Sequence, residues 1–116
     1  KKKFKNIIFT KPFSYLEFIY LIKNSRLVIT DSGGISEETT ILKIPCITLR
    51  EVTERPETVT NGTNHLVGKN LNNLKTILKK LIKSNKKFNR LRTIEKWDGN
   101  AGLRLCKDLR KRGYLN

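Results

Sequence analysis

The chain has 116 residues, of which 37% are hydrophobic and 30% are charged, and its formal net charge is +15 at pH 7. This length suits one domain with a modest core, and no apolar run approaches the roughly 18 residues that a membrane-spanning helix needs. The apolar run after the N-terminal lysines is interrupted before a signal-peptide core could form, so we expect a cytoplasmic protein with no membrane partner.

The positive charge raises nucleic acid as a partner, but its distribution argues against that class. Lysine and arginine concentrate near the two ends and in residues 79–92, whereas residues 30–60 contain Asp31 and five glutamates. Lysine and asparagine are abundant throughout, as a lysine-rich proteome would produce without any nucleic-acid role. A basic nucleic-acid-binding domain is therefore the least favoured of the function classes considered below.

The residues that commonly bind metals are sparse. Cys46 and Cys106 lie in apolar patterns without a partner at metal-ligand spacing, so we expect both to be buried free thiols. The single histidine, His65, begins a short apolar run, which favours a structural or solvated role over catalysis. The sequence therefore indicates no metal site, and we expect no cofactor.

Short apolar strands alternate with amphipathic helices along the chain. The first helix carries the capping-box spacing of Ser14 and Glu17 at its start. In chain order, the predicted elements are a strand at 6–10, a helix at 15–24, a strand at 26–30, a helix at 34–43, a strand at 45–49, a helical turn at 56–60, a weak strand at 65–68, and helices at 71–84 and 101–112.

This alternation is typical of an α/β domain, in which a Rossmann-like parallel sheet is flanked by helices. A doubly wound domain commonly has about five or six strands, and four are predicted here. We therefore expect the chain to be part of a domain whose first strands are missing.

The segment DSGG (31–34) follows the predicted strand 26–30. Ligands of open parallel sheets bind at the carboxyl ends of the strands, and the first N–H groups of a helix form an anion site that glycines leave accessible. Ser32 offers a hydroxyl donor in addition to the N–H groups of Gly33 and Gly34. Glu38 lies one helical turn further on, where its carboxylate could accept hydrogen bonds from a ribose diol. The alternative is ordinary turn chemistry, because many α/β proteins bind nothing at such a turn.

A second polar loop follows the predicted strand 45–49 and contains TERPE (53–57). Arg55 can bind a phosphate with two hydrogen bonds, although a surface ion-pair cluster with Glu54 and Glu57 would use the same residues. Two such loops at adjacent strand ends favour a phosphorylated ligand.

The chain is similar to a known family at these two loops. TDSGGISEE (30–38), followed by KIPCITLREVTERPETVTNGTNHLVG (43–68), closely resembles the C-terminal region of the non-hydrolysing UDP-N-acetylglucosamine 2-epimerases. The segments PFSYLEFIYLIKNSRLVIT (12–30) and WDGNA (97–101) fit as well, so the resemblance covers nearly the whole chain. Departures are Ser36, where the family usually has Gln, and KWDGNA in place of YGDGxA.

The resemblance implies a segment of the C-terminal domain of a two-domain, GT-B-like fold, with a UDP-sugar ligand bound between the domains. Ser32, Gly33 and Gly34 would then hold the diphosphate. Glu38 would hold the uridine ribose, and Phe18 would lie beside the uracil. Arg55 would reach the phosphates or the sugar.

The implied activity is the interconversion of UDP-N-acetylglucosamine and UDP-N-acetylmannosamine. Members of the family are much longer, and their acid and base carboxylates lie in an N-terminal domain, so the resemblance assigns no catalytic residue to this chain and implies that it is inactive alone. The alternatives are a non-catalytic nucleotide-sugar binding module and half of a split enzyme. The expected protein partners are an N-terminal half chain or a second copy in a homodimer.

Overall fold

A computed structural model describes residues 5–68, 70–83 and 94–115, with Leu71 described by its backbone alone. These residues form three strands and five helices, which follow one another as α1 (Tyr15–Asn24), β1 (Val28–Thr30), α2 (Gly33–Leu42), β2 (Cys46–Thr48), α3 (Pro56–Thr60), β3 (Asn64–Leu66), α4 (Leu71–Lys83) and α5 (Ala101–Lys111). Within the described residues, no helix combines the length and the apolar character needed to cross a bilayer.

The three strands form a parallel sheet in the order β1-β2-β3. Backbone bonds extend the ladder past the strand ends; for example, the Leu49 N–H donates to the Thr30 carbonyl (2.8 Å) and the Gly68 N–H donates to the Arg50 carbonyl (3.0 Å). Helix α2 connects β1 to β2 and packs against α1, α3, β2 and β3. The α/β class predicted from the sequence is therefore confirmed.

The strand predicted at residues 6–10 is wrong. These residues form a turn and irregular backbone, and Ile8 and Phe9 are 88% and 86% exposed. An apolar run becomes a strand where a neighbour supplies ladder hydrogen bonds and covers its side chains, and the described sheet pairs β1 with β2 and no strand with residues 6–10.

Helix α1 starts where the capping-box spacing predicts. Both the N–H and the hydroxyl of Ser14 donate to the Glu17 carboxylate, at 2.9 and 2.6 Å. These two bonds lower the pKa of Glu17, because they stabilise its ionised form. They also occupy a donor at the helix start that has no intrahelical acceptor.

The core of the described residues contains more polar than apolar side chains. Four apolar residues are buried: Ile22, Cys46, Ile47 and Val67. Seven polar residues are buried beside them: Ser36, Thr39, Thr40, Thr48, Thr58, Thr63 and Asn64. A buried polar group is costly unless it is hydrogen-bonded. The bond from Asn64 to Thr58 joins β3 to α3, and the Thr63 N–H, next to β3, donates to the Thr40 hydroxyl on α2.

Helix α5 is amphipathic, but none of its residues is buried. Cys46 is buried in β2 as predicted, and its burial raises the pKa of the thiol. The prediction of a buried thiol is wrong for Cys106, which lies exposed on α5. The apolar pattern around Cys106 correctly indicated one face of a helix, but that face is not covered by the described residues.

Candidate functional site

A polar cleft of about 340 Å³ opens beyond the carboxyl ends of β1 and β2. Its walls are the first turns of α2 and the loop between β2 and α3, where the sequence placed the two polar segments. Seven residues line it: Gly33, Gly34, Glu37, Arg50, Thr53, Glu54 and Arg55. The cleft therefore occupies the position at which open parallel sheets bind ligands.

The N-terminus of α2 forms one wall of the cleft. Ser32 is the N-cap, with an extended backbone (φ −85°, ψ 129°), and its own N–H donates to the hydroxyl of Thr30 (3.0 Å). The N–H groups of the first helical turn have no intrahelical acceptor, and they stand at the positive end of the helix dipole. This end of α2 is suited to an anion.

The glycines at the start of α2 are not required by the backbone angles. Neither Gly33 nor Gly34 has a positive φ. A Cβ atom on Gly34 would meet nothing within 4 Å, and one on Gly33 would lie 3.9 Å from Nη1 of Arg50. What the glycines provide is a backbone without side chains on the cleft side, which a ligand can approach closely.

Ser36, one of the two departures from the resemblance described above, has a structural role. Its side chain is fully buried, and its hydroxyl donates to the carbonyl of Gly33 at 2.6 Å. This bond lies within the first turn of α2 and helps to fix the backbone of Gly33 at the cleft wall.

Arg55 joins the two walls of the cleft. It is the N-cap of α3, and its Nε atom forms an ion pair with Oε1 of Glu37 on α2. Both side chains are partly exposed, at 54% for Arg55 and 34% for Glu37. Exposed ion pairs contribute about 0–1 kcal/mol, so an anionic ligand could displace Glu37 at small cost.

Arg50 is a cleft residue that the sequence reasoning did not select. It lies two residues after β2, and Nη1 of its guanidinium is the one atom of the described residues, apart from the adjoining chain, found within 4 Å of a Cβ built on Gly33. The signal was present, because Arg50 is the first residue after the predicted strand 45–49 and so belongs to the same strand end. With Arg55, it places two cations beside the helix N-terminus, opposed by the carboxylates of Glu37 and Glu54.

Two other candidate residues lie outside the lining of the cleft. Glu38 is half-buried on α2, and Phe18 is half-buried on α1, which packs against α2. The structure thus brings Gly33, Gly34 and Arg55 together at the cleft, with Ser32 next to them in the chain. Contacts of Glu38 and Phe18 with a ligand remain predictions.

His65 is half-buried in the middle of β3 and is not among the cleft-lining residues. Burial and, secondarily, the charge of Lys80 lower its pKa, so the imidazole is neutral at pH 7. Across the described ranges 5–68, 70–83 and 94–115, no cluster of three or more His, Cys, Asp or Glu side chains could hold a metal ion.

The chain matches known proteins along most of its length. Residues 1–110 match the family model described as UDP-N-acetylglucosamine 2-epimerase. The UDP-N-acetylglucosamine 2-epimerase of Methanococcus maripaludis is 48% identical over 92 residues, which are 79% of this chain and 24% of the relative.

Two solved structures extend the comparison to the fold. The Methanocaldococcus jannaschii UDP-GlcNAc 2-epimerase in complex with UDP-GlcNAc and UDP superposes with a TM-score of 0.71 at 43% identity, covering 88% of this chain and 27% of that one. The Neisseria meningitidis enzyme bound to UDP-GlcNAc also gives a TM-score of 0.71, at 38% identity, over 88% of this chain and 28% of that one. The chain spans about a quarter of the length of these relatives. It belongs to the UDP-N-acetylglucosamine 2-epimerase family.

Proposed function

We propose that this chain supplies the UDP-binding C-terminal part of a non-hydrolysing UDP-N-acetylglucosamine 2-epimerase, an isomerase that interconverts UDP-N-acetylglucosamine and UDP-N-acetylmannosamine. The observation that carries the proposal is the cleft itself, in which the bare N-terminus of α2 faces Arg50 and Arg55. The M. jannaschii structure that superposes on this chain contains UDP-GlcNAc and UDP, a ligand class with the diphosphate that such a cleft suits.

The proposed binding mode begins with the diphosphate. The N–H groups of Gly33 and Gly34 and the hydroxyl of Ser32 donate to its oxygens, and Arg55 exchanges Glu37 for a phosphate. Arg50, near Gly33, neutralises charge from the second wall.

The nucleoside extends from the diphosphate toward Glu38 and Phe18, which lie outside the lining of the cleft. The half-buried carboxylate of Glu38, one turn after Gly34, accepts two hydrogen bonds from the ribose diol. Phe18, on the neighbouring helix α1, lies beside the uracil. Because hydrogen bonds to an ionised carboxylate are roughly twice as strong as neutral ones, this contact favours a ligand that carries the ribose diol.

The chemistry at C2 of the sugar requires a base to remove a proton and an acid to return one on the other face. The cleft carboxylates are Glu37, which Arg55 already engages, and Glu54. We assign neither of them the acid–base role and propose that it belongs to polypeptide corresponding to the remaining length of the relatives. On this proposal, the chain is inactive alone and works with an N-terminal half chain or in a homodimer. We place this function in the cytoplasm, where thiols such as Cys46 and Cys106 stay reduced.

Titration calorimetry of the folded chain with UDP tests the half-site. We expect saturable binding that weakens at least about tenfold in Glu38→Ala and several-fold in Ser32→Ala, since hydrogen bonds to charged groups contribute about 1.5–3 kcal/mol. Glu95→Ala is the matched control, because Glu95 is an exposed carboxylate paired with Lys96 outside the cleft. Unchanged affinity in a folded Glu38→Ala variant would refute the ribose contact, and no binding by the folded wild-type chain would refute the half-site.

A reconstitution experiment tests the missing chemistry. The chain is mixed with an M. jannaschii epimerase that lacks the segment matching this chain, and epimerisation of UDP-GlcNAc is followed. We expect turnover in the mixture and none with either component. Turnover by this chain alone would contradict the assignment of the acid and base elsewhere, while UDP binding without turnover in any mixture would favour a non-catalytic binding module.

A further inference from the structure

Three buried side chains form a hydrogen-bonded chain that ends at Arg55. The Thr48 hydroxyl on β2 donates to Oδ1 of Asn64 (2.6 Å), and Nδ2 of Asn64 on β3 donates to the Thr58 hydroxyl (3.2 Å). The Thr58 hydroxyl in turn donates to the backbone carbonyl of Arg55 (2.7 Å). All three side chains are at most 2% exposed. The buried sheet is thereby connected to a residue at the cleft.

The donor-to-acceptor direction of this series of hydrogen bonds is fixed by the number of protons that its hydroxyl groups carry. A hydroxyl has one proton to donate, and Thr48 gives its proton to Asn64 while Thr58 gives its own to Arg55. The Cys46 sulfur, 3.9 Å from the Thr48 oxygen, must then be the donor in that contact. Burial raises the pKa of Cys46 and so keeps the thiol protonated for this role. Every bond points from β2 toward Arg55, the arrangement in which successive bonds strengthen one another.

The backbone of Arg55 is held on both sides. Its N–H donates to the Thr53 hydroxyl (3.1 Å), and its carbonyl accepts from both the N–H (3.0 Å) and the hydroxyl of Thr58. Its angles, φ −126° and ψ 69°, belong to neither a helix nor a strand, so no regular ladder fixes them. Within the five residues of α3, the buried one is Thr58. Hydrogen bonds rather than apolar packing therefore hold this turn to the sheet.

We propose that Asn64 and Thr58 are positioning residues that aim the Arg55 guanidinium across the cleft, where it meets Glu37 and, on the function proposed above, the diphosphate of the ligand. Neither residue lines the cleft, so each acts through the Arg55 backbone. An apolar pair of similar volume would fill the same space but would leave the carbonyl of Arg55 with only the bond from the Thr58 N–H. The polar residues at these two positions therefore have a function beyond packing.

The first test needs no ligand. Thr58→Val keeps the shape of the side chain and removes its hydroxyl, Thr58→Ser restores the hydroxyl, and Thr60→Val is the matched control, because the exposed Thr60 hydroxyl donates to the Pro56 carbonyl and not to Arg55. Hydrogen exchange of the Arg55 Nε–H, followed by nitrogen-15 NMR, reports its pairing with Glu37. We expect about threefold to fivefold faster exchange in Thr58→Val, the most that the loss of a partly exposed ion pair allows, and wild-type exchange in the other two variants.

Thr48→Val provides a second route if Thr58→Val does not fold. It releases Asn64 from β2 but leaves the Thr58–Arg55 bond in place. We expect a smaller acceleration of the Arg55 Nε–H exchange, about twofold to threefold. The proposal would be overturned if the Arg55 Nε–H exchanged at the wild-type rate in a folded Thr58→Val variant. If only Thr48→Val folds, a wild-type rate in Thr48→Val would overturn it.

The second test connects positioning to binding by a double-mutant cycle. Thr58→Val is expected to weaken UDP binding about threefold to tenfold in the wild-type background and to have no further effect in Arg55→Ala, whereas a merely structural defect would weaken binding equally in both backgrounds. Equal effects would overturn the proposal. Faster Arg55 exchange in a chain that binds no UDP would uphold the positioning role while refuting the function proposed above.

Discussion

Two regions of the molecule differ in how much of their side-chain surface is buried. In the central region, residues 28–68, the buried polar residues are threonines, a serine and Asn64, and most of their side chains are hydrogen-bonded, although the Thr63 hydroxyl has no partner within the described residues. In the flanks, defined as residues 5–21 and α5, large apolar side chains such as Ile8, Leu16 and Leu103 are exposed. The cleft belongs entirely to the central region, since all its lining residues lie between Gly33 and Arg55.

This difference shows that the geometry of the cleft does not depend on the exposed apolar side chains of the flanks. The cleft is built from two loops on adjacent strands and a hydrogen-bonded core, and it uses no side chain from the flanks. The flanks present apolar surface of the kind that proteins usually cover with further polypeptide. Substitutions of the exposed apolar side chains in the flanks should therefore leave ligand binding unchanged, whereas substitutions in the central region can change both ligand binding and folding stability.

The largest expected contrast is between two isoleucines. Ile47→Ala, at a fully buried position of β2, should lower the free energy of unfolding by about 2–5 kcal/mol because it removes apolar contacts and leaves a cavity. Ile8→Ala, at an exposed position of the N-terminal flank, should change it by less than about 0.5 kcal/mol. Urea unfolding followed by circular dichroism measures both. A large loss of unfolding free energy in Ile8→Ala would mean that the N-terminal flank is packed in solution, which would contradict the difference between the two regions.

Two glycines give a second contrast, of opposite sign. A Cβ on Gly62 would lie 2.4 Å from the carbonyl oxygen of Thr58 and 2.6 Å from the hydroxyl oxygen of Thr40, so Gly62→Ala should destabilise the chain by about 1–3 kcal/mol. Gly102, in α5, has no atom within 4 Å of such a Cβ, and Gly102→Ala should add about 0.5–1 kcal/mol to helix stability. Thermal unfolding monitored at 222 nm compares them. Destabilisation in Gly102→Ala would show that α5 is packed at that face.

The sequence predicted the central region better than the flanks, for a physical reason. Turn glycines, strand lengths and helix caps are local signals, so the helix starting near Gly34 and the parallel order of its neighbours followed from patterns within a few residues. The strand expected at 6–10 needed a partner on the free side of β1, and the burial expected for Cys106 needed a partner for α5. An apolar pattern records that a face is suited to burial, but not whether the described chain covers it.

Within the site, the sequence identified the anion-binding end of α2 and Arg55 but not their connection. Three contacts at the site join residues far apart in the chain. They are the ion pair of Arg55 with Glu37, the approach of the Arg50 guanidinium to the Gly33 position, and the hydrogen bond from Thr48 to Asn64. No period or spacing encodes such contacts. They appear once the strands are placed side by side.

The smallest expected effect is the pH dependence of the free energy of unfolding, which depends on His65 in the sheet. The pKa of His65 is lowered by burial in β3, so below its ordinary value of about 6.5 the unfolded chain binds a proton that the folded chain does not. The free energy of unfolding should therefore fall as pH decreases from about 7 toward 5, by no more than about 1.4 kcal/mol per pH unit from this one group. Urea unfolding of His65→Gln, which cannot titrate, should show a flatter decline over this range and an unchanged slope above pH 7.5.

Because the charge of Lys80 is the secondary cause of the shift, added salt should reduce the wild-type slope only slightly. An identical decline in His65→Gln would place the titrating group elsewhere, and a slope abolished by salt would make the charge of Lys80, rather than burial in the sheet, the dominant cause.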